Sequence, residues 1–240
     1  MQRRDFLKSA TIGALGVAST ALARKTGRQQ REIPYGENPL HLSDERDGTV
    51  YIPRSYKDGT PMPLVVMLHG LSGGAERVRF MQPFADQFGL IVVAPEARDR
   101  TWGQSDPGFD EDVHYISAAY KKVTDFFDVD GDHVALGGVS DGATYALCMG
   151  LAYGDIFNHL LIFAGAFIEP IRRKGKPKIF VGHGVNDMQM PIDRTARKFV
   201  PQLKSEGYDV TFREFDGGHG APRPIVQEGL EWFLGRPPAV

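Results

Sequence analysis

Short, unbroken apolar runs recur along the chain. Residues 64–68 read LVVML, 90–94 read LIVVA and 160–164 read LLIFA, with shorter runs at 133–136 and 178–182. Strands covered on both faces of a parallel sheet have this character, because neither face is left to water. Residues 50–52 form a brief early run closed by Pro53, and 210–215 alternate polar with apolar, as a strand at a sheet edge does. Between the runs the period changes. Val113, Ile116, Tyr120, Val123 and Phe127 recur at three- and four-residue intervals behind Asp110, Glu111 and Asp112, which predicts a helix with acids at its N-terminus. Residues 75–88, 193–203 and 225–234 predict further helices. Strands alternating with helices predict an α/β domain over 39–240, a mainly parallel sheet flanked by helices.

Composition narrows this only slightly. The 240 residues are enough for one large core and too few for two comfortable domains. A 42% hydrophobic and 24% charged composition fits a globular protein, and a net charge of −2 provides no pull toward nucleic acid or acidic membranes. The one cysteine, Cys148, rules out an internal disulfide and reads as a buried small hydrophobe. No C-x-x-C or H-E-x-x-H spacing occurs, so no metal site is expected, and no cofactor motif is found.

The first residues read as an address. Arg3 and Arg4 precede Asp5, Phe6, Leu7 and Lys8; a weakly apolar stretch over 10–23 ends in Ala21-Leu22-Ala23, before Arg24 and Lys25. This resembles a twin-arginine export signal, with Gln2 where serine or threonine is usual. The stretch is too short and too glycine-rich for a stable membrane span. The expectation is a signal over 1–23, a mobile polar leader over 24–38, the twin-arginine machinery as partner, and a periplasmic or extracellular destination. An amphipathic N-terminal helix is the competing reading.

Candidate chemistry gathers where strands end, which is where ligands collect in parallel sheets. Gly138-Val139-Ser140-Asp141-Gly142 follows one apolar run and precedes a small-residue helical stretch. G-x-S-x-G in a strand–turn–helix setting is a nucleophile elbow. Asp187 lies just beyond the run at 178–182, and His219 sits among glycines beyond the alternating strand. His219 is the candidate base, and Asp187 the acid that fixes its tautomer. Asp193 and Asp216 are rival acids, the first better read as a helix-start residue and the second too near His219 in sequence. His183 is the rival base, disfavoured because it precedes the acid on the same strand end. Backbone N–H groups of Asp141 and Leu71 are the candidate oxyanion donors. His69 is expected to shape the oxyanion loop, and Trp102 and Met188 to wall the substrate pocket.

With these residues assembled, the chain resembles α/β-hydrolases of the carboxylesterase type. It is most similar to secreted esterases grouped with polyhydroxybutyrate depolymerases, feruloyl esterases and small phospholipase/carboxylesterases. The matching motifs PLVVMLHG, GGVSDG, GHGVNDMQMP and GGHG extend from Pro63 to Gly220. The resemblance implies hydrolysis of small or polymer-borne carboxylic esters through an acyl-enzyme without a cofactor. Two features depart from it: HGLSGG replaces HGGG in the oxyanion loop, and Asp141 places a carboxylate beside the nucleophile, to repel anions or to cap the helix. Only residues 165–177 separate two strands where relatives insert a lid, so an open site is expected. A serine peptidase of this fold and a non-catalytic binding scaffold are the alternatives. The first normally needs an extra domain, and the second normally loses one of the three residues.

Overall fold

The computed structural model describes residues 33–103, 111–168 and 172–237. The proposed signal and most of the leader lie outside the described residues. Eight strands form one sheet: β1 (Gly36–Pro39), β2 (Thr49–Ile52), β3 (Met62–Leu68), β4 (Ile91–Ala94), β5 (Val129–Val139), β6 (His159–Phe163), β7 (Lys178–Gly184) and β8 (Val210–Phe215). Their spatial order is β1-β2-β4-β3-β5-β6-β7-β8. The pairs β1–β2 and β2–β4 are antiparallel, and every other neighbouring pair is parallel. Among the described residues, the α-helices that accompany the sheet are α1 (Gln82–Phe88), α2 (Glu111–Phe126), α3 (Asp141–Ala152), α4 (Ala196–Ser205) and α5 (Arg223–Phe233).

The apolar runs become the central strands because both faces are covered. Alternate residues feed two cores. Leu64, Val66, Leu68, Leu136, Ile162 and Val181 join the core that includes Ile116, Tyr120 and Leu147 from α2 and α3. Val65, Met67, Ala135, Phe163 and Phe180 pack with Phe84 of α1 and with Val226, Leu230 and Phe233 of α5. Each large aliphatic side chain so buried contributes roughly 1.5–3 kcal/mol. Cys148 is buried.

Three expectations change. The leader does not extend to residue 38: Gly36–Pro39 pairs with β2 and forms the sheet edge. The polar sequence GENP carries no strand period; its order comes from backbone pairing with β2 and from the Glu37 carboxylate held by Arg79. The helix expected over 75–88 is a 3₁₀ segment, Ala75–Met81, followed by α1, whose first turn accepts Pro83 because its missing N–H is not needed there. The helix expected from 193 opens as a 3₁₀ turn, Ile192–Arg194, before α4. Between β6 and β7, the described residues hold no helix.

Candidate active site

The elbow is a steric consequence of its sequence. Leu68 on β3 pairs with Gly138 on β5, so the loops after both strands emerge side by side at one end of the sheet. Ser140 links β5 to α3 with φ 60° and ψ −119°, a left-handed conformation costing on the order of 1–3 kcal/mol in a non-glycine residue. The flanking glycines permit it. A Cβ on Gly138 would lie 2.3 Å from the Gly142 carbonyl carbon, and one on Gly142 would lie 2.4 Å from the His69 oxygen. The hydroxyl therefore projects at the tip of a turn pressed against the β3 loop.

His219, in the loop after β8, stands between the two other residues. Its Nε2 lies 2.8 Å from Ser140 Oγ and its Nδ1 2.7 Å from Asp187 Oδ2. Asp187 has a fully buried side chain. Its Oδ1 accepts N–H bonds from Gln189 at 2.9 Å and Met190 at 2.8 Å, an Asx-type turn that fixes the carboxylate plane. Burial alone would raise its pKa, but the Met190 N–H, His219 and the Gln189 N–H outweigh that and hold it below the ordinary carboxylate range. The group therefore stays ionised against the imidazole.

The rivals fall elsewhere. Asp193 pairs with Arg197 at 2.8 Å on the surface, and Asp216 accepts a bond from Asn186 Nδ2 at 3.0 Å. His183 is buried on β7; its Nε2 donates to the Met190 oxygen at 2.7 Å and stands 3.3 Å from Asp187 Oδ2, while its Nδ1 has no hydrogen-bond partner among the described residues. Burial pushes its pKa below the usual imidazole range, so a neutral ring packs beside Asp187.

His69 is 1% exposed. Its Nδ1 donates to the Gly70 oxygen at 2.8 Å and its Nε2 accepts from the Ala97 N–H at 3.1 Å, so both ring nitrogens are engaged in shaping the loop. Burial lowers its pKa and keeps the ring neutral. Leu71 occupies a turn closed by the Gly73 N–H on the Gly70 oxygen at 3.0 Å, and its own N–H meets no acceptor among the described residues. The Asp141 carboxylate turns away from the serine: Oδ2 accepts Thr101 Oγ1 at 2.9 Å and the Trp102 N–H at 3.2 Å. These bonds tie the start of α3 to the loop after β4.

A cleft of about 810 Å³ opens over this cluster, lined in part by His69, Leu71, Arg77, Phe80, Gln189 and Ala221. Two pocket expectations are corrected. Trp102 is fully buried and lies behind the wall, since its indole N–H needs an acceptor and finds the His69 oxygen at 2.8 Å. Met188 is 92% exposed, because the turn that buries Asp187 throws the next side chain outward. Asp112 was missed as a site-supporting residue. Read as a helix-start acid, it is buried, and its oxygens accept the Arg98 N–H at 2.7 Å and the Gly103 N–H at 2.6 Å, clamping both ends of the Trp102 segment. Burial pushes its pKa up against those two bonds.

The Esterase family model, described as "Putative esterase", matches residues 41–194. The chain belongs to the esterase family. A protein named "Probable feruloyl esterase C" from Aspergillus niger is 26% identical over 227 residues, covering 78% of this chain and 83% of the relative. An acetylxylan esterase of Coprinopsis cinerea is 26% identical over 238 residues, 87% of this chain and 57% of that protein. Among solved structures, esterase PE8 superposes with a TM-score of 0.65 at 22% identity, covering 78% of this chain and 97% of that one. The acetyl xylan esterase of Aspergillus awamori does so at 0.63 and 14%, covering 78% and 93%. The fold is that of α/β-hydrolase esterases, and this esterase-family chain is a carboxylic-ester hydrolase. Among the described residues no helix is long and apolar enough to cross a membrane, and no group of three His, Cys, Asp or Glu is arranged to hold a metal ion.

Proposed function

We infer that the chain is an exported serine esterase that cleaves carboxylic esters through an acyl-enzyme on Ser140. The reading is carried by one imidazole, His219, spanning a strained-turn hydroxyl at 2.8 Å and a buried, ionised carboxylate at 2.7 Å. His219 Nε2 takes the Ser140 proton as Oγ attacks the ester carbonyl. Asp187 Oδ2 accepts Nδ1–H, fixing the tautomer and stabilising the imidazolium. The N–H groups of Asp141 and Leu71 receive the developing oxyanion, each worth roughly 3–4 kcal/mol in such sites. The imidazolium protonates the departing alcohol. Water, activated by the same base, then releases the acid and restores the serine.

The open cleft supports esters borne on bulky alcohols, and the names of the relatives, feruloyl and acetylxylan esterase, point to hydroxycinnamoyl and acetyl esters of plant polysaccharide as the first class to try. The paired arginines and the Ala21-Leu22-Ala23 exit support export by the twin-arginine machinery, to a compartment where such polymers are met. The test is a turnover panel of short-acyl, long-acyl, hydroxycinnamoyl and polymer-borne esters, run on the purified chain and on Ser140→Ala. The expected result is turnover that falls on the order of 10⁴-fold in the variant. Equal turnover by both proteins overturns the reading.

A further inference from the structure

Two backbone donors on different loops form the proposed oxyanion hole. Leu71 belongs to the loop after β3, and Asp141 starts the helix after β5. Such a hole accelerates reaction only if the donors are held in place before charge develops. Beyond the strand pairing below them, Trp102 from a third loop bridges the two. Among the described residues it makes four contacts, two to each side. Its backbone N–H donates to Asp141 Oδ2 at 3.2 Å, and its indole stacks on Tyr145 of α3 at 5.7 Å between ring centroids. Its indole N–H donates to the His69 oxygen at 2.8 Å, and its ring lies 4.8 Å from the His69 ring. The residue is 0% exposed, and its indole hydrogen bond is buried away from water.

The segment carrying Trp102 is itself fixed. Asp112 accepts the N–H groups of Arg98 and Gly103, Thr101 Oγ1 donates to Asp141 Oδ2, and the Ser72 N–H of the oxyanion loop donates to the Arg100 oxygen at 2.6 Å. Asp141 explains itself in the same terms. A carboxylate beside the nucleophile is an awkward choice for the substrate, but here it is spent on Thr101 and Trp102. A neutral aliphatic side chain in its place would leave the Trp102 N–H buried without that acceptor.

We propose that Trp102 is a positioning residue that sets the spacing of the two oxyanion donors by bridging the His69 loop to the start of α3 through Asp141. It touches neither substrate nor reacting atoms. The proposal rests on the Ser140 reading, since the spacing matters only if an oxyanion forms there.

The test compares wild type with Trp102→Phe, which keeps an aromatic ring but deletes the indole N–H together with the pyrrole part of the ring, and with Thr101→Val, a near-isosteric loss of one hydroxyl at the Asp141 end. Three quantities are read: kcat and KM for one ester, the affinity of an alkyl boronic acid that forms a tetrahedral adduct on serine, and the end-point fraction of protein labelled by a serine-directed phosphonate. For Trp102→Phe the expected result is a kcat lower by about tenfold to a hundredfold, a boronate affinity weakened by the same factor, and unchanged KM and labelled fraction. Thr101→Val should move kcat and boronate affinity in the same direction by about threefold. If Trp102→Phe does not fold, Thr101→Val alone decides. An unchanged kcat in whichever variant folds overturns the proposal, as does a lower kcat with unchanged boronate affinity or with a proportionate fall in labelled fraction. Absence of ester turnover in wild type overturns the Ser140 reading and this proposal with it, whereas an active wild type with unaffected variants overturns this proposal alone.

Discussion

His159 gives the most quantitative forecast. It opens β6 and is 9% exposed, stacked with His133 at 6.0 Å and set edge-on to Phe233 at 5.1 Å and Trp232 at 5.5 Å. Burial first, then the charges of Lys178 and His133, push its pKa down to about 4. An unfolded chain returns the imidazole to roughly 6.5. Between those values the unfolded state holds a proton that the folded state does not. Stability attributable to this group is therefore complete above the unfolded value and is lost as pH falls toward the folded one. Integrating between about pH 7.5 and about pH 4.5 gives a loss of about 2.5 kcal/mol from this residue. His69 and His183 are shifted in the same direction, so the wild-type slope alone does not isolate it. His159→Phe does: the ring contacts survive, and Asn158 Oδ1, which loses the His159 contact, still accepts the Val134 N–H at 3.0 Å. Urea unfolding of both proteins at the two pH values is the assay. The stability gap between variant and wild type should move in the variant's favour by about 2.5 kcal/mol on acidification. Parallel pH curves, with the gap constant to about 0.5 kcal/mol, would refute the linkage reasoning.

Other outcomes follow from the site and the leader. Asp187→Asn removes the charge facing His219 Nδ1 and should lower kcat/KM by on the order of 10³- to 10⁴-fold, while Asp193→Asn, which loses only a surface pair, should change it less than about threefold; the reverse ranking in steady-state kinetics would reassign the acid. Replacing Arg3 and Arg4 with lysine should leave uncleaved precursor in the cytoplasm, measured by fractionation and immunoblot, and normal maturation of that variant would argue for another route. Turnover should be indifferent to chelator, and a loss restored by a divalent cation would contradict metal-free acyl transfer.

The central strands and the elbow were legible because their physics is local. A strand buried on both faces must be apolar throughout, and a turn that brings Gly138 and Gly142 within contact of backbone has no room for a Cβ. The chain order of Ser140, Asp187 and His219 was legible because each follows a strand whose end could be read. Trp102 was not. An aromatic in a post-strand loop has the same pattern whether its ring faces the cleft or the core, and only the His69 oxygen, 33 residues away in sequence, satisfies its N–H internally. Asp112 was hidden in the same way: a helix-start acid and a buried loop clamp look identical until Arg98 and Gly103 are brought beside it. β1 was missed because its order comes from pairing with β2, which leaves no trace in side-chain periodicity. Met188 misled because its neighbour Asp187 is buried, and adjacent residues in a tight turn face opposite ways.

Covalent capture tests most directly whether Ser140 is the nucleophile, activated by His219. The folded chain is treated with a serine-directed fluorophosphonate, and intact-mass and peptide-mass measurements count and locate the adduct. The expected result is one adduct per chain, on the peptide containing Ser140, formed at least about a hundredfold more slowly in His219→Ala. An unlabelled folded protein, an adduct on another residue, or labelling equally fast without His219 would contradict it.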